Sequence, residues 1–165
     1  MVNVADQLRH DEDIRLLVLG NGLLQREIAQ QIFQRELANV TLSDVIAKGK
    51  MAELLNASDA CLATLRDIPM FRMTYPNKVF DYMAAGRPVV LAIDGVIRDV
   101  VASANGGICV PPGDAKAIAD AIRYLRDHPA EAQSMGHSGF KYVAKHFHRD
   151  DHARLLEQTL EEVAA

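Results

Sequence analysis

The sequence predicts an α/β fold: a parallel sheet doubly wound by helices, with extra helices at the carboxyl end. Three observations carry this expectation. Short apolar runs alternate with segments of helical spacing; the runs are near-continuous in apolar residues, as in strands covered on both faces; and after Pro111-Pro112-Gly113 the pattern is wholly helical.

The elements follow in order. Ile14 to Gly20 reads as a buried strand, Leu24, Ile28 and Ile32 recur at helical spacing, and Asn39 to Leu42 reads as a second short strand. A helix around Met51 to Leu55 precedes a strand over Asp59 to Thr64, and Pro88 to Ile93 forms a further strand. Ile97 to Ala104 is helical, and Gly107 to Val110 closes the sheet. Asp114 then caps a helix with an apolar stripe of Ala117, Ile118, Ala121, Ile122 and Leu125. Pro129 starts the next helix, and a last one sets Ala153, Leu156, Leu160 and Val163 on one face. The chain reads as a single domain over 1–165, with a helical tail over about 114–165 and no linker long enough to divide it.

Composition narrows the classes. With 165 residues, 49% of them apolar, the chain is long enough to bury a substantial core. A net charge of -4 and an isoelectric point near 5.8 argue against nucleic acid as a partner, because phosphate backbones select basic faces. Cys61 and Cys109 fall inside apolar runs without C-x-x-C spacing, which suits reduced core thiols and a cytoplasmic setting. No signal-peptide pattern opens the chain, and no apolar run reaches spanning length.

The most informative stretch runs from Tyr75 to Val90. Pro76 suits the first position of a helix ending at Ala85, and Gly86 suits the left-handed residue that follows it. The free N–H groups and positive dipole end of that helix face the region beyond Thr74 and Tyr75, where an anion is the natural occupant. Lys78 adds a positive charge there, and Asp81 lies on the same face with a carboxylate suited to paired hydroxyls. An ordinary surface ion pair between Lys78 and Asp81 explains the same spacing equally well.

Ligands of a doubly wound sheet bind beyond the carboxyl ends of its strands. That rim collects Gly20-Asn21-Gly22, the loop after Ser43-Asp44, residues Leu65 to Tyr75, and Asp94-Gly95. The Gly20 and Gly22 pair alone lacks a third glycine and a P-loop lysine. His146, His148 and His152 crowd one segment, but their spacing does not align three imidazoles on one helical face, so no metal site is expected. Arg72, Arg87 and Arg98 read as solvated charges or strand-end partners.

In order and spacing, several segments resemble the nucleotide-sugar-binding C-terminal domain of GT-B glycosyltransferases, particularly glycosyltransferase family 4, the glycosyl transferases group 1. These are the strand ending at Gly20-Asn21-Gly22, Asn39 to Leu42, Met51 to Ala60, Phe80 to Val90, and Asn105 to Asp114. The resemblance implies retaining, metal-independent transfer of a sugar from a UDP-sugar or GDP-sugar donor, with no cofactor. It implies that Asp81 holds the ribose, that main-chain N–H groups from Thr74 and Tyr75 through Asn77, Lys78 and Val79 meet the diphosphate, and that Val45 and Ile46 meet the base. Lys78 is the nominee for a supporting cation, and no residue is nominated as catalytic.

Two departures qualify this. The family motif pairs two glutamates; here the second position is Asp81 and the first falls on Met73, which cannot hydrogen-bond a sugar hydroxyl. The Pro-x-Lys start of the helix is similar to a subgroup acting in bacterial surface-polysaccharide assembly, including lipopolysaccharide. Further, Val4 to Leu8 reads as the helix after the family's first strand, so that strand and the acceptor-binding N-terminal domain fall outside the sequence. The expectation is a partial domain without transferase activity of its own, retaining weak UDP or GDP binding, from an enzyme that works at the inner membrane face. A sugar-nucleotide 2-epimerase-like domain and a non-catalytic interaction module are the rival readings, the second kept open by Met73.

Overall fold

A computed structural model describes residues 1–164, with the side chains of Lys48, Arg149, His152 and Ala164 outside the described set. His152, one of the histidines weighed above, therefore has no described side chain, and residue 165 of the expected tail lies outside as well.

Helix α1 (Val2–Gln7) opens the chain and leads into strand β1 (Leu16–Leu19), helix α2 (Gln25–Gln34) and strand β2 (Val40–Ser43). A short 3-10 turn at Lys48–Lys50 runs into α3 (Met51–Ala57), then β3 (Cys61–Thr64), α4 (Pro69–Arg72), α5 (Asn77–Ala84), β4 (Val89–Ala92), α6 (Val96–Ser103) and β5 (Gly107–Cys109). Three longer helices complete the described chain: α7 (Ala115–Asp127), α8 (Pro129–His146) and α9 (Arg149–Ala164). Asp114 caps α7 as expected, its Oδ1 accepting from the Ala117 N–H at 2.9 Å, and Pro129 stands in the first turn of α8.

All ladders are parallel, but they form two sheets where one was expected: β1 pairs with β2, and β4 lies between β3 and β5. No ladder joins β1 to β3 among the described residues.

Strand β4 is buried along its whole length, because successive side chains point to opposite faces and both faces are covered. Val90 and Ala92 join Val4 and Leu8 of α1 and Ile118 and Leu125 of α7 in one core. Val89, Leu91 and Ile93 join Val79 and Met83 of α5 and Ile97 and Val101 of α6 in a second. Each buried Val, Leu, Ile or Met among these contributes roughly 1.5 to 3 kcal/mol relative to exposure. A third, smaller cluster sets Val2, Ala5 and Leu37 against Ile28 and Ile32 of α2.

Strand β1 departs from expectation. The sequence predicts it buried, yet Leu17 is 48% exposed, because Leu16 packs on two core clusters while Leu17 points to the opposite face, which no core cluster of the described residues covers.

The expected tail divides in two. Helices α7 and α8 belong to the body, α7 through the first core and α8 through Gly136 and Gly139, which pack on Gly86 and Gly106. Helix α9 presents Leu155, Leu156, Leu160 and Val163 to solvent. Polar ties hold the α1 end: Asn39 Nδ2 donates to the Ala5 carbonyl at 2.8 Å, and Arg123 and Arg126 of α7 donate to Asp11 at 2.9 and 2.8 Å.

Candidate functional site

The carboxyl ends of the parallel strands carry the loops predicted to form the rim. After β1, Gly20 adopts φ +139°, a conformation side chains rarely adopt, while its N–H donates to the Ser43 carbonyl at 3.1 Å. The Gly22 carbonyl accepts from the Gln25 N–H at 2.9 Å, so this loop leads directly into α2. Gln25 Nε2 also donates to Asp44 Oδ1 at 2.9 Å, tying the loops after β1 and β2 together. Beyond Asp44, Val45 is 64% exposed and Ile46 half-buried.

After β3, where the sequence predicts a loop, the chain forms α4. The signal was Pro69, which stands at the helix start after an extended Ile68. Gly95 shows why this segment stays in place: a Cβ there would lie 1.9 Å from the Arg72 carbonyl oxygen, so the loop after β4 presses on α4 main chain to main chain. Arg72 donates through Nε and Nη2 to Asp67 Oδ1 at 3.2 and 2.9 Å, and that carboxylate pushes the guanidinium pKa above its usual value.

Helix α5 starts one residue later than predicted. Pro76 has φ -68° and ψ 118°, so it is the extended residue before the helix, and Asn77 takes the first helical position. Gly86, at φ +67°, is the left-handed residue after the end, as expected, with Ala85 between it and Ala84. Two of the nominated donors are already engaged: the Thr74 N–H bonds the Phe71 carbonyl at 3.2 Å and the Val79 N–H bonds the Pro76 carbonyl at 3.0 Å. Val79's side chain is fully buried, so this residue serves the core. The N–H groups of Tyr75, Asn77 and Lys78 have no intramolecular acceptor among the described residues.

Lys78 and Asp81 are both solvent-exposed, and no ion pair joins them among the described residues. The surface-pair reading of their spacing is therefore not what the structure contains. Phe80 anchors the helix between them, its ring 4.8 Å from that of Phe147 and 6.3 Å from that of Tyr75. Thr74 Oγ1 donates to the Met70 carbonyl at 3.2 Å, and Met73, 78% exposed, ends α4.

Of Arg72, Arg87 and Arg98, only the last meets a strand end; Arg87 bonds the end of helix α3 and Arg72 a neighbouring carboxylate. Arg98 Nη1 donates to Asp94 Oδ1 at 3.2 Å and to the Val110 carbonyl at 3.3 Å; Arg87 Nη2 donates to the Asn56 carbonyl at 2.7 Å. Among the described residues, Lys78 has no such tie. Open surface depressions along α9 and between β5 and α7 lie away from this rim. Among the described residues, no group of three His, Cys, Asp or Glu side chains is placed to hold a metal ion. His148 falls between α8 and α9, its Nδ1 3.9 Å from Asp151 Oδ2.

The arrangement offers unpaired main-chain donors and an ammonium for an anion, with a carboxylate one turn further along the same helix for hydroxyl donors. The sequence pattern described as Glycosyl transferases group 1 matches residues 1–128. No curated protein matches the chain in sequence. Sucrose-phosphate synthase from Thermosynechococcus elongatus superposes with a TM-score of 0.83 at 23% identity, covering 98% of this chain and 41% of that one. Anabaena HepE, solved in complex with UDP-glucose, gives 0.83 at 18% identity over 97% of this chain and 44% of its own. The C-terminal domain of a glycosyl transferase group 1 family protein from Francisella tularensis gives 0.71 at 16% identity, covering 90% and 77%. The chain thus spans less than half the length of the first two.

Proposed function

This chain belongs to the glycosyl transferases group 1 family, and on that premise we propose that it is the nucleotide-sugar-binding domain of a glycosyltransferase. The donor is a nucleoside-diphosphate sugar, with UDP preferred over GDP. Transfer is retaining and needs no bound metal, and the acceptor is a glycan or a lipid-linked glycan held by a second, N-terminal domain. The setting is the cytoplasm, at the inner face of the membrane in the whole enzyme; within the described residues, no helix is long and apolar enough to cross a bilayer.

The observation that carries the reading is the open amino end of α5, with the Asn77 and Lys78 N–H groups unpaired and Asp81 exposed one turn along. In this proposal the two amides and the Lys78 ammonium bind the diphosphate, and stabilise the negative charge that grows on it as the glycosidic bond breaks. Asp81 accepts from the ribose hydroxyls, while Gly20, Gly22, Val45 and Ile46 border the base. HepE, of the same fold, was solved with UDP-glucose bound, which supports the choice of donor class. Isolated, the chain binds nucleotide without turnover, because the acceptor site belongs to the other domain.

Titration calorimetry of UDP, GDP and UDP-glucose against the wild type and Asp81→Ala tests this. Loss of a charged acceptor should weaken UDP binding by about 1.5 to 3 kcal/mol; unchanged affinity removes the assignment. Met73 favours a second reading, a nucleotide-binding module that has lost its sugar contact, because an exposed thioether stands where the family carries a glutamate. Equal affinity for UDP and UDP-glucose would favour that reading.

A further inference from the structure

Two asparagine-glycine pairs occur in the sequence, Asn21-Gly22 and Asn105-Gly106. Glycine after asparagine leaves the main chain free to fold back on the preceding side chain, because no Cβ stands in the way. The glycine nitrogen can then attack the side-chain carbonyl carbon, provided the two atoms are brought to contact distance. Local structure decides whether they are.

At Asn105-Gly106 the fold forbids the approach. Asn105 sits at φ +47°, and its N–H donates to the Ala102 carbonyl at 3.0 Å. The Gly106 N–H donates to the Val101 carbonyl at 3.0 Å, and the Gly106 carbonyl accepts from the Val89 N–H at 3.0 Å, so the attacking nitrogen is tied down. Gly106 is also buried, and a Cβ on it would stand 3.3 Å from Gly139 Cα and 3.3 Å from Met83 Cε. Swinging this peptide means lifting α8 and freeing the start of β4.

At Asn21-Gly22 the chain is not held in this way. The pair lies in the loop between β1 and α2, outside helix, strand and turn, and both residues are exposed. A Cβ on Gly22 would meet nothing within 4 Å. Among the described residues, the Gly22 N–H and the Asn21 side-chain amide have no hydrogen-bond partner. Anchors lie to either side, at the Gly20 N–H on Ser43 and at the Gly22 carbonyl on Gln25.

We infer that Asn21-Gly22 is a site of spontaneous modification, where the asparagine amide is converted to a carboxylate while Asn105 is spared. The Gly22 nitrogen forms a bond to the Asn21 side-chain carbonyl carbon, and its proton passes through water to the side-chain nitrogen. The bond to that nitrogen breaks, and it leaves as ammonia. Water then opens the resulting cyclic imide at one carbonyl or the other. One opening yields aspartate; the other yields isoaspartate, whose main chain runs through the side-chain carbon and is longer by a methylene. Either product sets a negative charge on the rim between Gly20 and Gln25. The modification stands independently of the donor reading. On that reading it further implies weaker UDP binding by the acid form, because a like charge has entered a site for an anion.

Peptide mapping by mass spectrometry, with chromatographic separation of the aspartate and isoaspartate products, tests this on the native chain held in warm, mildly alkaline buffer. Asn21 should convert at least about tenfold faster than Asn105, which reacts only after local opening. In urea the two should convert at similar rates. Gly22→Ala, for which the loop has room, should slow the conversion severalfold. Equal native rates at the two pairs, or an Asn21 that converts in urea and stays intact in the native chain, would overturn the inference. So would a Gly22→Ala variant converting as fast as the wild type, which would mean direct hydrolysis without the imide. Calorimetry on the acid form, separated by ion exchange, should show weaker UDP binding than the fresh chain. Equal affinity would count against placing the nucleotide beside Gly20 and Gly22, and not against the modification.

Discussion

The carbonyl oxygen of Gly86 lies 2.1 Å from where a Cβ on Gly136 would stand, so α8 meets the end of α5 only through a residue without a side chain. The contact fixes the helix whose opposite end carries Asn77 and Lys78. Gly136→Ala should therefore displace α8, costing about 1 to 3 kcal/mol, or roughly 2 to 12 °C in unfolding midpoint. Circular dichroism melts check this, and an unchanged midpoint would mean that the helix shifts freely.

Lys78 is solvent-exposed and bonded to no carboxylate among the described residues, so its charge is available to an incoming anion. Lys78→Ala should weaken UDP binding about two- to fivefold, with a shallower dependence on salt and no change in melting. Calorimetry at low and high salt provides the measurement. Equal affinity of wild type and variant at low salt would take Lys78 out of the site.

Asp11 accepts from Arg123 and Arg126, and these two bonds hold its carboxyl below the usual aspartate range. A folded pKa lower than the unfolded one adds stability that is complete above the unfolded value. That stability is lost as pH falls through the folded value. Urea midpoints measured from neutral pH down to about pH 2 should thus fall more steeply for the wild type than for Asp11→Asn. At neutral pH the variant should be weaker by about 1 kcal/mol.

Burial pushes the Cys61 thiol up to about 11 and raises that of Cys109 as well. Since the thiolate is the reactive form, both should label slowly with iodoacetamide in the native chain at mildly alkaline pH. Cys109, the less buried, should label before Cys61, and both should label readily in urea. Mass spectrometry after timed quenching reads the order; rapid native labelling of Cys61 would contradict its placement.

Residue chemistry made much of this architecture legible. Pro76 and Gly86 bracket α5 because one fixes φ and the other accepts a positive φ, yet only ψ at Pro76 reveals that the helix begins with Asn77. Helix α4 is too short for a periodic signal, so Pro69 was its sole mark. The Leu-Leu-Val-Leu of β1 reads alike whether a strand is covered or open, and pairing partners are decided by distant segments; this hid the division into two sheets. At the site, residue types pointed to Lys78 and Asp81. That Val79 spends its N–H on Pro76 depends on the local turn geometry.

Helix α9 differs from α7 and α8 in what holds it. Phe147 still packs against Phe80, whereas the residues that follow expose Leu155, Leu156, Leu160 and Val163. Anyone shortening this polypeptide by limited proteolysis should find the durable fragment ending near Phe147. The released piece would be a charged peptide with one oily stripe, and its removal should improve behaviour at high concentration without altering the shape of what remains.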